Sequence, residues 1–498
     1  MDQAIEPEQQ AVSGVGQTVA RNSMFGIVGQ IALKLLSFCF TIVVVRQLGD
    51  QRFGVYSTVM AFVGIFAVFA DLGMAGYAVR EIAQNRRRAP ELFGDMVVLR
   101  LLLSMLVLLS NVGLAITLGY PAATVGLIAL ASVGLLLYAI QGPLQVVLQG
   151  FERIDLTTGY NVLNQVAFIA AGGALLWLGW DIAGVIAASF VGIVLTSIGL
   201  WRAARRLTPL PLRITPSGWR ALLTAGLPFG IITFATMLSF KVDTVLLSLW
   251  RSSAEVGWYN VAYNLIFTLL ILSSGFNSAL VPSLSRQYRS DPAAVGRFYL
   301  NAIRLLWAVA LPVAVGGALL ADRLIVLLYG SAYAPAGPAL RVLIWVLPAL
   351  TITSLCGAIT TVLHRERSTA RINVVNAAFN IALNLWAIPR YGLMGAAVMT
   401  VATELLGLGQ YLYLLRDAFP LRQLAHVTSA ATMAALAMAA VIWLGWPLPL
   451  LPLIALGALC YGLLLVVQGG LSLAEIKLIG ATIGGQLLRR RKPLTREA

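Results

Sequence analysis

Apolar residues gather along the chain in long blocks, and polar residues collect in the short stretches between them. A hydrocarbon core of roughly 30 Å is crossed by about 20 residues of helix, and block after block reaches that length. The pattern predicts spans near residues 22–46, 54–79, 93–118, 122–148, 158–180, 182–201, 221–250, 258–284, 298–320, 338–363, 372–389, 392–415, 424–445 and 449–468. No link between them is long enough for a folded domain, the largest on the outer side running from about Asp322 to Gly337. Any function therefore resides within the helices. Pro143, Pro228, Pro282, Pro312 and Pro348 fall inside spans, where proline permits kinks.

Composition removes the water-soluble alternative. Hydrophobic residues make up 59% of the 498 and charged residues 11%, against about 25% charge in an ordinary soluble domain. A net charge of +15 raises the question of nucleic acid, but 31 of the 35 basic residues are Arg and most lie in the links, which is a topology signal. With the N-terminus cytoplasmic, the inside segments carry 25 basic residues. The outside links carry five, Arg46, Arg52, Arg251, Arg323 and Arg390. Both termini are therefore expected in the cytoplasm. The segment Met1 to Ala20 holds Asp2, Glu6 and Glu8 and lacks the basic start of a secretory signal, so the first span is expected to stay uncleaved. Cys39, Cys356 and Cys460 sit in separate apolar windows and imply no disulfide framework. Two histidines, His364 and His426, leave a His-based metal site almost without ligands.

The two halves of the chain echo one another. Phe25-Gly26, Leu36-Ser37-Phe38 and Gly54-Val55-Tyr56 recur as Phe229-Gly230, Leu238-Ser239-Phe240 and Gly257-Trp258-Tyr259. Arg100-Leu101-Leu102 recurs as Arg304-Leu305-Leu306, and Asn161-Val162-Leu163-Asn164 as Asn373-Val374-Val375-Asn376. A shift of six spans is even, so equivalent helices run the same way, and parallel repeats of this kind place a substrate cavity between two bundles. The expected fold is an all-α integral membrane protein of about 14 transmembrane helices, in two parallel-repeat six-helix bundles with two extra C-terminal helices. Its expected segments are a cytoplasmic tail at 1–20, the first bundle at 21–206, a linker at 207–220, the second bundle at 221–416, the added helices at 424–468 and a basic cytoplasmic tail at 469–498. The last contains Leu471 to Leu488 ahead of Arg489-Arg490-Arg491-Lys492, most plainly a positive-inside anchor.

Leu48-Gly49 through Phe53-Gly54-Val55-Tyr56, Leu72-Gly73 with Arg80-Glu81, and Gln149-Gly150-Phe151 follow one another in the first half. Asp243 leading to Gly257-Trp258-Tyr259, Pro282-Ser283-Leu284-Ser285, Leu328-Tyr329-Gly330 with Tyr333, and Asn384 to Ile388-Pro389-Arg390-Tyr391-Gly392 follow in the second. Over residues 20 to 420 this order resembles the polysaccharide transporter family, the Wzx-type O-antigen flippases of the multidrug/oligosaccharidyl-lipid/polysaccharide exporter superfamily. The resemblance implies a lipid-linked oligosaccharide as cargo, membrane lipid as surroundings, a polysaccharide polymerase and assembly proteins as partners, and a cationic lumen. It implies neither nucleic acid nor catalysis.

A charge at the bilayer centre costs roughly 2.5–3.5 kcal/mol on insertion scales, so intramembrane ionisable groups need a reason. Lys34, Asp71, Asp95, Arg100, Lys241, Asp243, Arg304, Arg341 and Glu404 qualify. The candidate substrate cavity takes Lys34, Asp71, Arg100, Arg304, Asn161, Asn164, Asn373 and Asn376. Its cations meet a diphosphate, and its polar groove replaces the hydration lost by sugar hydroxyls. Lys34 is too deep in span 1 to snorkel easily, with an ion pair to Asp71 as the structural alternative. Arg100, Arg304 and Arg341 lie near span ends, where snorkelling is the plainer reading. Lys241 and Asp243 are two residues apart, about 200° around a helix, and cannot face one cavity together. Asn373, Asn376, Asn380 and Asn384 form one stripe along span 11, which either lines a cavity or hydrogen-bonds a neighbouring helix. Asn161, Asn164 and Gln165 form its shorter counterpart in span 5. Related flippases hold a coupling cation with an acid of span 7 and polar groups of spans 11 and 12. That resemblance gives Asp243, Asn376, Asn380 and Thr400 as a candidate site for Na⁺, whose hard character suits oxygen ligands. Glu404 and Asp71 are candidate carriers if the coupling ion is H⁺. No other cofactor or certain metal is expected.

The leading reading is an ion-gradient-driven flippase carrying an undecaprenyl-diphosphate-linked oligosaccharide to the periplasmic leaflet of the bacterial inner membrane. A peptidoglycan lipid-precursor flippase or a multidrug exporter of the same superfamily is the nearest alternative. A membrane glycosyltransferase or polymerase is remote, because it needs large charged outer loops that this chain lacks.

Overall fold

The computed structural model describes residues 6–212, 215–270, 292–363, 365–417 and 421–470, and every regular element in them is helical. Pro282, the later part of the 258–284 window, Lys477, the Leu471–Leu488 segment and the Arg489–Lys492 cluster lie outside the described residues. The helices are α1 Glu6–Asp71, α2 Met74–Gln84, α3 Ala89–Thr117, α4 Ala122–Gly150, α5 Ile154–Trp177, α6 Ile182–Arg205, α7 Pro216–Trp250 and α8 Ser253–Leu269. They continue as α9 Pro292–Leu319, α10 Ala321–Tyr329, α11 Ala336–Leu343, α12 Val346–Val362, α13 Glu366–Leu414, α14 Leu421–Leu444 and α15 Leu450–Val467.

Among the described residues, ten helical stretches are long and apolar enough to cross a membrane. The sequence windows number fourteen, and the difference has local causes. Leu33–Gln84 and Arg367–Leu414 each hold two windows in one stretch. The first is broken at Gly49 (φ 72°) and the second at Gly392 (φ 57°), positions whose left-handed backbone suits glycine. Helix α5 is long enough at 24 residues, but Asn161, Asn164 and Gln165 lower its apolarity. The chain is a multi-pass integral membrane protein.

The coordinates divide into two compact units. The first comprises Met1–Ile271, Ile325–Ala339 and Arg367–Thr403, and the second Leu272–Leu324, Leu340–Glu366 and Glu404–Ala498. The core of the first unit gathers Met74, Ala78 and Ile82, one face of the short helix α2, with Phe93, Met96, Leu144, Leu148, Leu200 and Leu222 of α3, α4, α6 and α7. In the second unit α14 and α15 pack on α9 through small residues, Ala431, Ala434 and Ala435, beside Leu311 and Met438. Small side chains let helix backbones approach where the lipid itself offers no hydrophobic drive to associate. Tyr461 then donates to the Ala308 carbonyl at 2.7 Å, and Trp307 Nε1 to Thr432 Oγ1 at 3.3 Å.

Arg46, Arg251 and Arg323 clamp backbone carbonyls near helix C-termini, where orphan carbonyls and the dipole favour a cation. Arg46 donates to Leu327 and Leu328 at the end of α10 (2.6 and 2.8 Å). Arg251 donates to Ile388 and Pro389 before the break in α13 (3.2 and 2.8 Å). Arg323 reaches Trp446 and Leu448 after α14 (2.6 and 3.0 Å) and lies over the Trp446 ring. Arg341, weighed above as a cavity cation, forms an exposed pair with Asp322 at 2.5 Å.

Candidate functional site

The first unit contains two places where helices of the two sequence repeats meet backbone to backbone. Beyond the Gly49 break, Gly54 of α1 crosses Gly257 of α8. A Cβ on Gly54 would lie 1.7 Å from the Ser253 carbonyl oxygen, and one on Gly257 2.3 Å from that of Asp50. These are the repeat-equivalent glycines of Gly54-Val55-Tyr56 and Gly257-Trp258-Tyr259, so the echo in sequence is a contact in space. Around this crossing Tyr333 Oη donates to the Val45 carbonyl at 2.9 Å, and Trp258 Nε1 to that of Ala332 at 3.1 Å. Arg52 pairs with Asp181 at 2.9 Å. At the other meeting, the turn between α1 and α2, with Leu72 at φ 46° and Gly73 at φ 77°, presses on α7. A Cβ on Gly73 would lie 2.5 Å from the Gly226 oxygen and 2.6 Å from the Gly230 nitrogen. Arg80 stacks over Phe229 at 5.1 Å, and Phe69 meets Phe234 at 4.8 Å. The buried Asp95 of α3 accepts hydrogen bonds from Thr215 N and Oγ1 (2.7 and 2.5 Å), which fastens the start of α7.

A cavity of about 250 Å³ is lined by α1, α5, α6, α7 and α8. Among the described residues Ser37, Thr41, Tyr56, Ser57, Gln165, Asn260 and Asn264 supply its polar groups, Phe40 and Phe168 an apolar wall, and Lys241 a cation. Among the described residues no carboxylate lines it. Lys34 is exposed and stands one turn before Ser37 on the same face of α1, in the series 34, 37, 41, 44.

On the far side of α7 from Lys241, Asp243 is 1% exposed. Its Oδ2 accepts from Tyr259 Oη at 2.6 Å and from Thr400 Oγ1 at 3.1 Å, and those two hydroxyls are 3.2 Å apart. Its Oδ1 is buried without a hydrogen-bond partner among the described residues. This knot ties α7, α8 and α13 together, and it adjoins the cavity wall through Thr244 Oγ1, which donates to Asn260 Oδ1 at 3.3 Å. Farther along α13, Asn384 donates to Asn380 at 3.1 Å and Asn380 to Thr403 at 3.4 Å. Asn376 Oδ1 is buried without a hydrogen-bond partner among the described residues. Of the candidate coupling residues in this unit, the structure brings Asp243 and Thr400 together, with Asn380 in a separate cluster one helical turn along from Thr400.

A second cavity of about 250 Å³ opens between the end of α1, α2, α3 and α4. Arg100, 4% exposed, reaches into it with Nη1 3.2 Å from Asp71 Oδ1. Asp71 is thus paired from α3 and not from Lys34, and Arg100 is enclosed by protein instead of snorkelling.

Residues 19–288 match the model of a family described as polysaccharide biosynthesis protein. The chain belongs to that family. Residues 228–386 also match the MatE family, and the chain is a flippase of the multidrug/oligosaccharidyl-lipid/polysaccharide exporter superfamily. It is 22% identical to the "Probable low-salt glycan biosynthesis flippase Agl15" of Haloferax volcanii over 388 residues, covering 77% of this chain and 80% of the other. It is also 22% identical to the "Putative O-antigen transporter" of Shigella flexneri, covering 76% and 94%. The fold is similar to that of the lipid II flippase MurJ in an inward closed conformation, with a TM-score of 0.74 at 15% identity over 89% of this chain and 98% of that one.

The flippase places its remaining candidates unevenly. Of the polar stripe Asn161, Asn164 and Gln165 in α5, it is Gln165 that lines the first cavity. Asn161 accepts from Gln145 at 3.2 Å and Asn164 donates to Thr196 at 3.4 Å, both links between neighbouring helices. Asn373 is half-buried in α13, and Arg304 and Glu404 are half-buried within the second unit. Sequence reasoning did not single out Asn260 and Asn264 or assign Lys241 and Tyr259 a place. Asn260 and Asn264 are one turn apart in an apolar helix, a legible signal, and Tyr259 is the repeat partner of Tyr56. The partners themselves come from other helices, which no spacing along α7 or α8 reveals.

Proposed function

We propose that this flippase uses an ion gradient to carry an undecaprenyl-diphosphate-linked oligosaccharide from the cytoplasmic to the periplasmic leaflet of a bacterial inner membrane, for cell-surface polysaccharide synthesis. The single observation that carries the reading is the cavity in which Lys241 stands among hydroxyl and amide side chains contributed by both sequence repeats. An ammonium suits phosphate oxygens, and Ser, Thr, Asn and Gln suit sugar hydroxyls, all of which lose water on entering hydrocarbon. With both termini cytoplasmic, the Gly54–Gly257 crossing is the periplasmic closure and the Gly73–α7 contact the cytoplasmic one. Export of a cationic drug is disfavoured by a lysine with no carboxylate in the lining. The Asp243 knot is the coupling site of this reading: Oδ1 is open to H⁺ or Na⁺, and the Tyr259 and Thr400 oxygens are further ligands for a hard cation. A polysaccharide polymerase and assembly proteins would act on the delivered substrate.

The test is reconstitution in vesicles with fluorescent lipid-linked substrates, an oligosaccharide beside a peptidoglycan precursor, under imposed H⁺ and Na⁺ gradients. A charge-assisted contact is worth about 1.5–3 kcal/mol, so Lys241→Ala is expected to slow translocation by roughly tenfold to hundredfold, and Lys34→Ala by less. Asp243→Asn is expected to abolish gradient dependence. Undiminished transport by Lys241→Ala, or transport of the peptidoglycan precursor alone, refutes the reading.

A further inference from the structure

The second cavity holds a cation with spare bonding capacity beside the positive-φ turn between α1 and α2. Arg100 Nη1 stands 3.2 Å from Asp71 Oδ1, yet among the described residues that oxygen makes no hydrogen bond and Arg100 Nε has no partner. The pair is held by charge, without the two-pronged geometry that a guanidinium makes with a well-placed oxyanion. The walls beside the guanidinium are fitted to it. Tyr138 lies under it at 5.4 Å, and Gly142 faces it with no side chain, where a Cβ would fall 2.3 Å from Nη1. Gln145 and Gln149 complete a polar lining able to donate to phosphate oxygens, beside Ser104, whose hydroxyl donates to the Leu135 carbonyl.

Asp71 is also the last residue of α1. The next two residues, Leu72 and Gly73, take positive φ and form the turn pressed against Gly226 and Gly230 of α7. Whatever holds Asp71 therefore holds one side of that closure. We propose that the α1–α3–α4 cavity is a phosphate-binding site in which an anion on Arg100 displaces Asp71 and so frees the Leu72–Gly73 turn from α7. A phosphate offers the guanidinium fork two oxygens where the carboxylate now supplies one contact. The displaced carboxylate is not stranded, since the Asp71 side chain is already 27% exposed and gains water as it leaves, which avoids the large penalty of an unpaired buried charge. The closure thereby becomes dependent on a phosphate-bearing ligand. This rests on the flippase carrying a phosphate-linked lipid, although an anionic phospholipid headgroup presents the same chemistry.

The full-length protein in phosphatidylcholine nanodiscs, with Cys39, Cys356 and Cys460 replaced and spin labels at Gly76 of α2 and Ile231 of α7, supplies both readouts. Inorganic pyrophosphate is the probe, followed by calorimetry and by the label-to-label distance. Pyrophosphate is expected to bind weakly and lengthen the distance. Asp71→Asn should bind it about tenfold tighter, because the competing charge is gone, and should show the long distance without ligand. Arg100→Gln should bind none. A second set of discs containing phosphatidylglycerol identifies the source: a long distance without pyrophosphate assigns the site to a headgroup, and an unchanged one to the carried lipid. Equal or weaker binding by Asp71→Asn, or a distance that ignores pyrophosphate, overturns the proposal, even where Arg100→Gln fails to fold. Failed translocation of every lipid-linked glycan alongside the expected binding and distances would instead count against the transport reading.

Discussion

The glycine crossing of α1 and α8 makes a sharp prediction. An alanine at Gly257 places a methyl 2.3 Å from the Asp50 oxygen, and one at Gly54 places it 1.7 Å from the Ser253 oxygen. Carbon and oxygen settle near 3.3 Å even in the closest favourable backbone contacts, so α1 and α8 must part by roughly 1 Å in the first case and by more in the second. Both obstacles are backbone, which cannot rotate aside. Overpacking of this size costs about 1–3 kcal/mol. If the contact exists only in the closed form, that penalty falls on the closed form alone and shifts the closed-to-open ratio by roughly 5-fold to 150-fold. Gly54→Ala should shift it further than Gly257→Ala. Gly113→Ala in α3, where the new methyl meets nothing within 4 Å, is the control and should stabilise slightly, since glycine inside a helix is the weaker former. Pulsed electron-electron resonance between labels on α1 and α8, read beside thermal melting, separates a conformational shift from unfolding. Identical distance distributions for Gly54→Ala and Gly113→Ala would show that the crossing is not a closure that opens.

Tyr259→Phe removes one of two hydrogen bonds to the buried Asp243 and is expected to lower stability by about 1–3 kcal/mol, measured as a drop in Tm with no loss of helical dichroism; an unchanged Tm would mean that Asp243 finds another donor. Arg251→Gln withdraws a cation from the end of the first arm of α13 and should cost only about 0.3–1 kcal/mol, with a dependence on salt that a purely steric role would lack. Gly142→Ala pushes a methyl onto Arg100 Nη1 and should break the Arg100–Asp71 pair; loss of protection of α2 amides in hydrogen exchange checks it. Thr215→Val strips the hydroxyl donor from Asp95 and is expected to loosen the start of α7, visible as faster exchange there and nowhere in α14 or α15.

The sequence by itself determined that the chain crosses a membrane many times, because the thickness and apolarity of hydrocarbon impose a length and a composition that no other environment demands. It also determined the repeat, since Gly54 and Gly257 hold equivalent places for a reason that is local to each helix, the need for a bare backbone. Charge placement was legible in the same way, from the crowding of arginine into alternate links. The pairing of intramembrane groups was not. In a helix apolar on nearly every face the pattern gives a side chain's direction around its own axis and says nothing of what stands opposite. Asp71 was read from the sequence as a partner for Lys34, and only the packing of α3 against the end of α1 decided for Arg100. Lys241 and Asp243 were separable by angle alone, but which one met the cavity and which met Tyr259 and Thr400 depended on where α8 and α13 lie. Asn161 and Gln165 share a helix and differ in fate for the same reason: α4 stands beside one and the cavity beside the other. Helical period sets an azimuth, and the neighbour at that azimuth is a property of the assembled bundle.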